Sequence, residues 1–424
     1  MVSFRASRAC VIALPLVCGG CAPAEPSGPA APAVRPGASV LLTDSLHLVR
    51  HRRVGLITNQ TGLLPGADPG AAPRSTIDAL FSRSDVDLVA LFGPEHGLRG
   101  DLGAGERVES GRDPATGLPV YSLYTEGRRP PPGTLDDLDV LVFDVQDVGA
   151  RYYTYVYTMA LAMVDAGVRG IPFVVLDRPD PIGGLRVQGN VLDTAFASFV
   201  GMYPVPMRHG MTAGELARLY VGEFGVEVEL HVVPADGWTR DMSFEDTGLP
   251  WVPPSPNMPS PESALHYPGT CLFEGTSLSV GRGTSRAFQW IGAPWLDGPT
   301  LAERLNGRAV PGVRFEGVRF TPEDPGDGKF DGLEVEGVRF VATDPAVYDP
   351  TVAAVAALLE TRRMSGERWT WRADHFDRLA GTDRLRRMVE EGRPLDEIVA
   401  PWAAQLDAFR ALRAPYLLYP RETP

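Results

Sequence analysis

Glu95 and His96 stand side by side between glycines in residues 92–100 (FGPEHGLRG), directly after the apolar run 87–92 (DLVALF). A hydrophobic strand that stops at ionisable residues on a tight loop is how an α/β protein presents chemistry at the edge of its sheet. Two further apolar runs stop in the same way. Residues 139–144 (DVLVFD) run into Asp144, Gln146, Asp147 and Arg151, and residues 171–176 (IPFVVL) run into Asp177, Arg178 and Asp180. In an open parallel sheet all strand C-termini share one edge, so these distant carboxylates are expected to converge. Glycoside hydrolysis needs such a set: one carboxylic acid to protonate the leaving oxygen, and a second group to activate water or stabilise the cation. Glu95, with carboxylate neighbours and partial burial to keep it protonated, is the candidate acid. As a loop carboxylate it could instead cap backbone amides. His96 reads as a substrate contact rather than a metal ligand. Asp144, Asp147 and Arg151 read equally well as a structural ion-pair network, and Asp177 to Pro181 as a structural turn shaped by its prolines.

A second informative stretch is residues 272–288 (LFEGTSLSVGRGTSRAF), with Glu274, Arg282 and Arg286 around Gly281 and Gly283. The glycines permit close backbone approach to a ligand, and an arginine there could hold a carboxylate bidentately or sit solvated on a turn. No Walker phosphate loop, strand-following G-x-G-x-x-G or G-x-S-x-G elbow occurs, which leaves nucleotide binding and serine hydrolysis without support. The 7 histidines lack metal-ligand spacing, so neither metal nor cofactor is expected.

Strand and helix patterns alternate from residue 40 to 233. Residues 75–81 carry Ile77, Leu80 and Phe81 at helical spacing, 152–166 form a longer helix, and Thr212 with Glu215 makes a capping box. The expected fold is therefore α/β, a doubly wound sheet over residues 39–254. Residues 249–261 (LPWVPPSPNMPSP) are too proline-rich for a helix or central strand, and read as a linker, a rigid binding loop, or both. A smaller α+β domain is expected over 255–424, with helices at 350–362, 383–391 and 395–413.

The chain of 424 residues carries a net charge of −13, which argues against nucleic acid as a partner. Arg5 and Arg8 precede the short apolar run 10–17, and Gly19 and Gly20 lead to Cys21. This is the layout of an export signal over residues 1–21, with Cys21 as a candidate lipidated residue, or of a plain secretory signal. Residues 22–38, rich in Pro and Ala, read as a tether to the membrane or cell envelope. Cys271 is then the one thiol besides the anchor and reads as a buried structural residue.

The stretches 55–62 (GLITNQTG), 92–100, 144–153 (DVQDVGARYY), 176–184 (LDRPDPIGG), 256–267 (PNMPSPESALHY), 273–286 (FEGTSLSVGRGTSR), 380–384 (AGTDR) and 416–419 (YLLY) occur together and in order. The chain resembles the exo-β-N-acetylmuramidases of NamZ/YbbC type from about residue 40 to residue 420. The resemblance implies a Rossmann-like domain, an auxiliary C-terminal domain and an active site in the cleft between them. It also implies release of terminal N-acetylmuramic acid from peptidoglycan fragments, with Glu95 as the leading catalytic residue. On this expectation Asp144 and Glu274 are further catalytic candidates. Asn59, His96, Arg99, Gln146, Asp147, Arg151, Tyr153, Asn257 and Arg282 are candidates to hold the sugar. Its acetamido group could itself supply the second reacting group, oriented by Asp144 or Asp147. A solute-binding lipoprotein, and an amidase or deacetylase acting on the same polymer, are the competing expectations.

Overall fold

The computed structural model describes Met1 and residues 34–66, 72–98, 110–124 and 127–421. The expected signal, the tether through residue 33, and Arg99 lie outside the described residues.

In the first half, α1 (Gly37–Thr43) precedes β1 (Arg53–Thr58). A hairpin of β2 (Leu63–Leu64) and β3 (Arg74–Ser75) leads to α2 (Thr76–Phe81) and then β4 (Asp87–Gly93). β5 (Gly111–Arg112), β6 (Pro119–Ser122), β7 (Val140–Asp144), α3 (Tyr155–Val168) and β8 (Phe173–Leu176) follow. The pair β9 (Gln188–Val191) and β10 (Pro206–Arg208), then α4 (Ala213–Glu223) and β11 (Leu230–Val233), complete it.

The main sheet has the order β11-β8-β7-β1-β4-β6-β5 and is parallel except for β5. The chain moves outward from β1 to β4, then returns to build β7, β8 and β11 on the other side. The order therefore reverses between β1 and β7, as in a doubly wound sheet. Strand alternation sorts the core. Leu141, Phe143, Phe173 and Val175 enter one apolar cluster with α3 and α4, whereas Val140, Val142, Val174 and Leu176 enter another with α1 and α2.

The fold begins earlier than the tether expectation of residues 22–38 allows. Val34 is buried, Arg35 bridges to Asp236, and Gly37 N donates to Asp177 O at 2.8 Å. A Cβ on Gly37 would lie 2.4 Å from both Asp177 N and Val233 O, so only glycine allows α1 to seat on the ends of β8 and β11.

The second half holds α5 (Pro261–Thr270), β12 (Trp290–Ala293), α6 (Gly298–Asn306), β13 (Val313–Phe320) and β14 (Val335–Ala342). The order β12-β14-β13 is an antiparallel sheet covered by α6 and α7 (Pro350–Ser365). Then come α8 (Ala373–Ala380), α9 (Arg384–Glu390), α10 (Leu395–Val399) and α11 (Trp402–Arg413). The single helix expected over 395–413 is two, because Pro401 has no N–H with which to continue α10. The apolar cluster of α3 and α4 continues without a break into Leu301, Val355 and Phe376. The halves differ in topology but share one core.

Candidate active site

The crevice where the strand order reverses is the usual ligand position in such a sheet. Here the proline-rich segment straps across it. Gln60 Nε2 donates to Pro253 O at 2.8 Å, Tyr155 OH to Pro254 O at 2.5 Å, and Trp251 Nε1 to Met258 O at 3.2 Å. What remains beneath the strap is a cavity of about 420 Å³ against Thr61, Gln146 and Arg178.

The ionisable side chains of that edge are engaged internally. Asp144 accepts from Arg178 Nε at 2.6 Å, Arg178 Nη2 at 3.0 Å and Thr76 OH at 2.6 Å, and is fully buried. Asp177 accepts from Thr212 OH and Tyr419 OH, each at 2.6 Å, and from Gly214 N at 2.8 Å. Glu215 closes the capping box with Thr212 and pairs with Arg240 at 2.6 Å.

The open cleft lies one strand further out, beyond β4, with a volume of about 660 Å³. Pro94 and Gly97 shape its first wall: Gly97 N donates to Pro94 O at 3.0 Å, and His96 and Gly97 adopt positive φ of 70° and 75°. This turn presents Glu95 and His96 to the cleft. Thr154, at the N-cap of α3, makes no capping bond and instead donates its hydroxyl to Glu95 Oε2 at 2.6 Å. On another side of Glu95 stands Tyr124, just past β6. Burial first, and then the Glu95 charge beside it, push the Tyr124 phenol up to about 12, and the two side chains hydrogen-bond.

Tyr153, Tyr155 and Tyr267 form an aromatic floor, with Tyr153 edge-on to both others at 5.1 and 5.8 Å. Ser255 and Asn257, from the far end of the strap, line the cleft as well. The strap therefore closes one crevice and walls the other.

The opposite wall comes from the second half: Glu274, Arg282, Phe288 and His375. Arg282 reaches Glu274 Oε1 through Nη2 at 2.5 Å and Nε at 2.7 Å, and its guanidinium lies 5.2 Å from the centroid of the Phe288 ring. The Glu274 carboxyl is subject to an upward push from burial, but Arg282 outweighs it and holds the group below the ordinary range. Lys329 Nζ braces this turn through the carbonyls of Phe273 (3.2 Å), Glu274 (3.3 Å) and Leu278 (2.8 Å). His375 sits in the first turn of α8, its imidazole pushed downward chiefly by burial.

Of the residues singled out in the sequence, the structure brings Glu95, His96, Tyr153, Asn257, Glu274 and Arg282 into one cleft. Five others lie outside it. Asp144 is locked by Arg178 and Thr76, because a fully buried carboxylate needs its partners within the protein. Gln146 Nε2 is tied to the carbonyls of Asp147 and Pro179. Asn59 accepts from Thr61 and lies beside the Tyr155 hydroxyl, supporting the floor from behind. Asp147 is buried with Asp180, and burial foremost lifts both carboxyls to about 7. Arg151, expected to meet a substrate carboxylate, instead donates to the carbonyls of Asn190, Val205, Leu379 and Ala380 at 2.8–3.0 Å with no exposure.

Sequence reasoning passed over Thr154, Tyr124, Tyr267 and His375. Tyr124 lies two residues past the end of β6, which runs parallel to β4, and so reaches the same edge of the sheet as Glu95. Among the described residues, no three His, Cys, Asp or Glu side chains gather as a metal set.

An α/β sheet with an acid at a strand end, facing a second region across a cleft, places the chain among two-domain glycosidases. It belongs to the exo-β-N-acetylmuramidase NamZ family: the pattern for the N-terminal part of that family matches residues 54–262, and the pattern for the C-terminal part matches 265–419. The peptidoglycan β-N-acetylmuramidase NamZ of Bacillus subtilis (strain 168) is 43% identical over 389 residues, 92% of each chain. Two crystal structures of DUF1343 family proteins from Bacteroides fragilis NCTC 9343 share the fold. One has a TM-score of 0.83 at 37% identity, covering 91% of this chain and 99% of that one. The other has a TM-score of 0.70 at 31% identity, covering 92% and 99%.

Proposed function

We propose that the protein releases β-linked N-acetylmuramic acid from the non-reducing end of peptidoglycan fragments, with Glu95 as general acid. The observation that carries this reading is Glu95 itself. It stands at a strand end, oriented by Thr154 at 2.6 Å, in a cleft shared with four tyrosines and the Arg282–Glu274 pair. The tyrosine rings offer apolar faces to a pyranose, and the Glu95 carboxyl offers a proton to the leaving oxygen.

The second reacting group is best supplied by the substrate. Among the described lining residues the carboxylates are Glu95 and Glu274, and Glu274 is held by Arg282. Asp144 and Asp147 are outside the cleft, so neither orients the acetamide. Attack of the acetamido oxygen on C1 requires no second free carboxylate.

Incubation with N-acetylmuramyl-β-1,4-N-acetylglucosamine tests the activity. Free N-acetylmuramic acid is expected from the wild type, and Glu95→Gln is expected to lose about 100-fold or more in kcat. Absence of release by the wild type, or an unimpaired Glu95→Gln variant, overturns the reading.

We further propose that the chain is exported and anchored through a lipid on Cys21, facing the periplasm or cell envelope, where its substrate lies. The basic, apolar, Gly-Gly-Cys order of residues 5–21 supports this. Cys21→Ala is expected to move the protein from the detergent phase to the aqueous phase on Triton X-114 partition.

A further inference from the structure

If the acetamido oxygen bonds to C1, the amide N–H becomes acidic, and a neutral oxazoline forms only when its proton leaves nitrogen. Glu95 is engaged in protonating the leaving oxygen. Glu274 Oε1 is held twice by Arg282, and Glu274 Oε2 faces the Cys271 thiol at 3.7 Å.

His375 differs from these groups. It lines the same cleft, on the wall built by the second half, and is only half-buried. Its ring makes no hydrogen bond to any other described residue, so both nitrogens are left to a ligand. Its helix is fixed at both ends. Arg372 N donates to Gly275 O at 2.8 Å, and a Cβ on Gly275 would lie 2.5 Å from Phe376 Cβ, so α8 packs directly on the turn that carries Glu274. At the other end Arg151 holds the carbonyls of Leu379 and Ala380. Such anchoring keeps a proton-transfer group within the narrow geometry that catalysis requires.

Resting on the glycosidase reading above, we propose that His375 is a further catalytic residue, the acceptor of the acetamido proton. In the first step the acetamido oxygen forms its bond to C1. The C1–O bond to the leaving sugar breaks with its electron pair on oxygen, which takes the Glu95 proton. The amide proton passes to His375, leaving a neutral oxazoline. In the second step water attacks C1, giving one proton to the Glu95 carboxylate, while His375 returns its proton to nitrogen as the ring opens. Both residues end as they began, and the released sugar keeps the β configuration.

The charge around the ring suits an acceptor. Burial, with Arg372, Arg378 and Lys329, disfavours the imidazolium, against the opposing pull of Glu274. The ring therefore carries a free lone pair near neutral pH.

The test uses 4-nitrophenyl β-N-acetylmuraminide across the pH range, with His375→Gln and His375→Ala. The expected result is a fall in kcat of about 100-fold or more at little change in KM, loss of the acid limb of the kcat profile, and partial recovery of His375→Ala by added imidazole. A kcat within about tenfold of wild type with the acid limb intact overturns the proposal. So does an α anomer as the first-formed product of the wild type, read by NMR. Melting curves identify a variant that fails to fold, and the near-isosteric His375→Gln then carries the result. Release that depends on Glu95 but not on His375 sinks this inference alone, whereas no release by the wild type sinks the glycosidase reading beneath it.

Discussion

Arg151 closes on the carbonyl of Ala380 at 2.8 Å, joining the loop after β7 to the end of α8 across 229 residues of sequence. With Leu379 it caps the C-terminal end of that helix, where a cation opposes the helix dipole and satisfies carbonyls that have no intrahelical partner. Truncation at this position would take a donor from four buried carbonyls. Ala380 O keeps Asn190 Nδ2 and Val205 O keeps Leu192 N, while the carbonyls of Asn190 and Leu379 lose their side-chain donor, at roughly 1–3 kcal/mol each before relaxation. We expect Arg151→Met to lower unfolding free energy by about 3–5 kcal/mol in urea titration. Arg151→Lys should recover only part of this, since an ammonium lacks the planar fork. A loss under about 1 kcal/mol would contradict the clasp.

Thr154 orients Glu95 without belonging to the reacting groups. Thr154→Val removes one donor at near-constant volume, and kcat is expected to fall about tenfold with the melting temperature almost unchanged. Thr154→Ser retains the hydroxyl and should restore most of the rate. Equal rates for the Ser and Val variants would show that the 2.6 Å contact does not matter to catalysis.

Asp144 separates stability from chemistry in the opposite direction. Removing its charge by Asp144→Asn leaves the Arg178 guanidinium buried against a neutral amide, and should cost about 3–5 kcal/mol in unfolding free energy. Because the residue lies outside the cleft, kcat of the folded fraction should stay within a few-fold of wild type. A specific collapse of kcat in a stable variant would return Asp144 to the active site.

Stability should depend on pH through Asp147 and Asp180, which burial lifts to about 7 from 3.8. Across that window the folded chain keeps protons that the unfolded chain has released. Their contribution is thus complete below 3.8 and is lost as pH rises to about 7. His209 and His266 act the other way: burial pushes both to about 3 from 6.5, so their contribution is present above 6.5 and is lost as pH falls toward 3. Asp147→Asn removes one rising-pH loss. Its melting temperature relative to wild type should therefore increase between about pH 5 and about pH 8, and a constant difference would refute the assignment.

The sheet was readable because its strands are near-continuous apolar runs. Residues 87–92 and 139–144 announce β4 and β7, and Ser75 and Thr212 cap α2 and α4 as their types predict. The site was readable only in part. Glu95, Asp144 and Asp177 carry the same local signal, a carboxylate after an apolar run, yet Asp144 and Asp177 meet Arg178 and Tyr419 at 2.6 Å while Glu95 faces a cleft. Those partners are 34 and 242 residues distant, so no local pattern distinguishes an engaged carboxylate from a catalytic one. His375 was hidden for a related reason. On sequence it is one polar residue in a short amphipathic helix, and its place in the cleft depends on a buried arginine more than 200 residues earlier.

The apolar cluster that runs from β7 through Val355 to Phe376 joins the two walls of the cleft through one interior. Side chains of both halves interlock in one close-packed interior, which resists continuous deformation. Among the described residues, the elements that carry Glu95 and His375 are thus set against each other when the chain folds, not when substrate arrives. Heat should therefore abolish binding and fold in a single cooperative step.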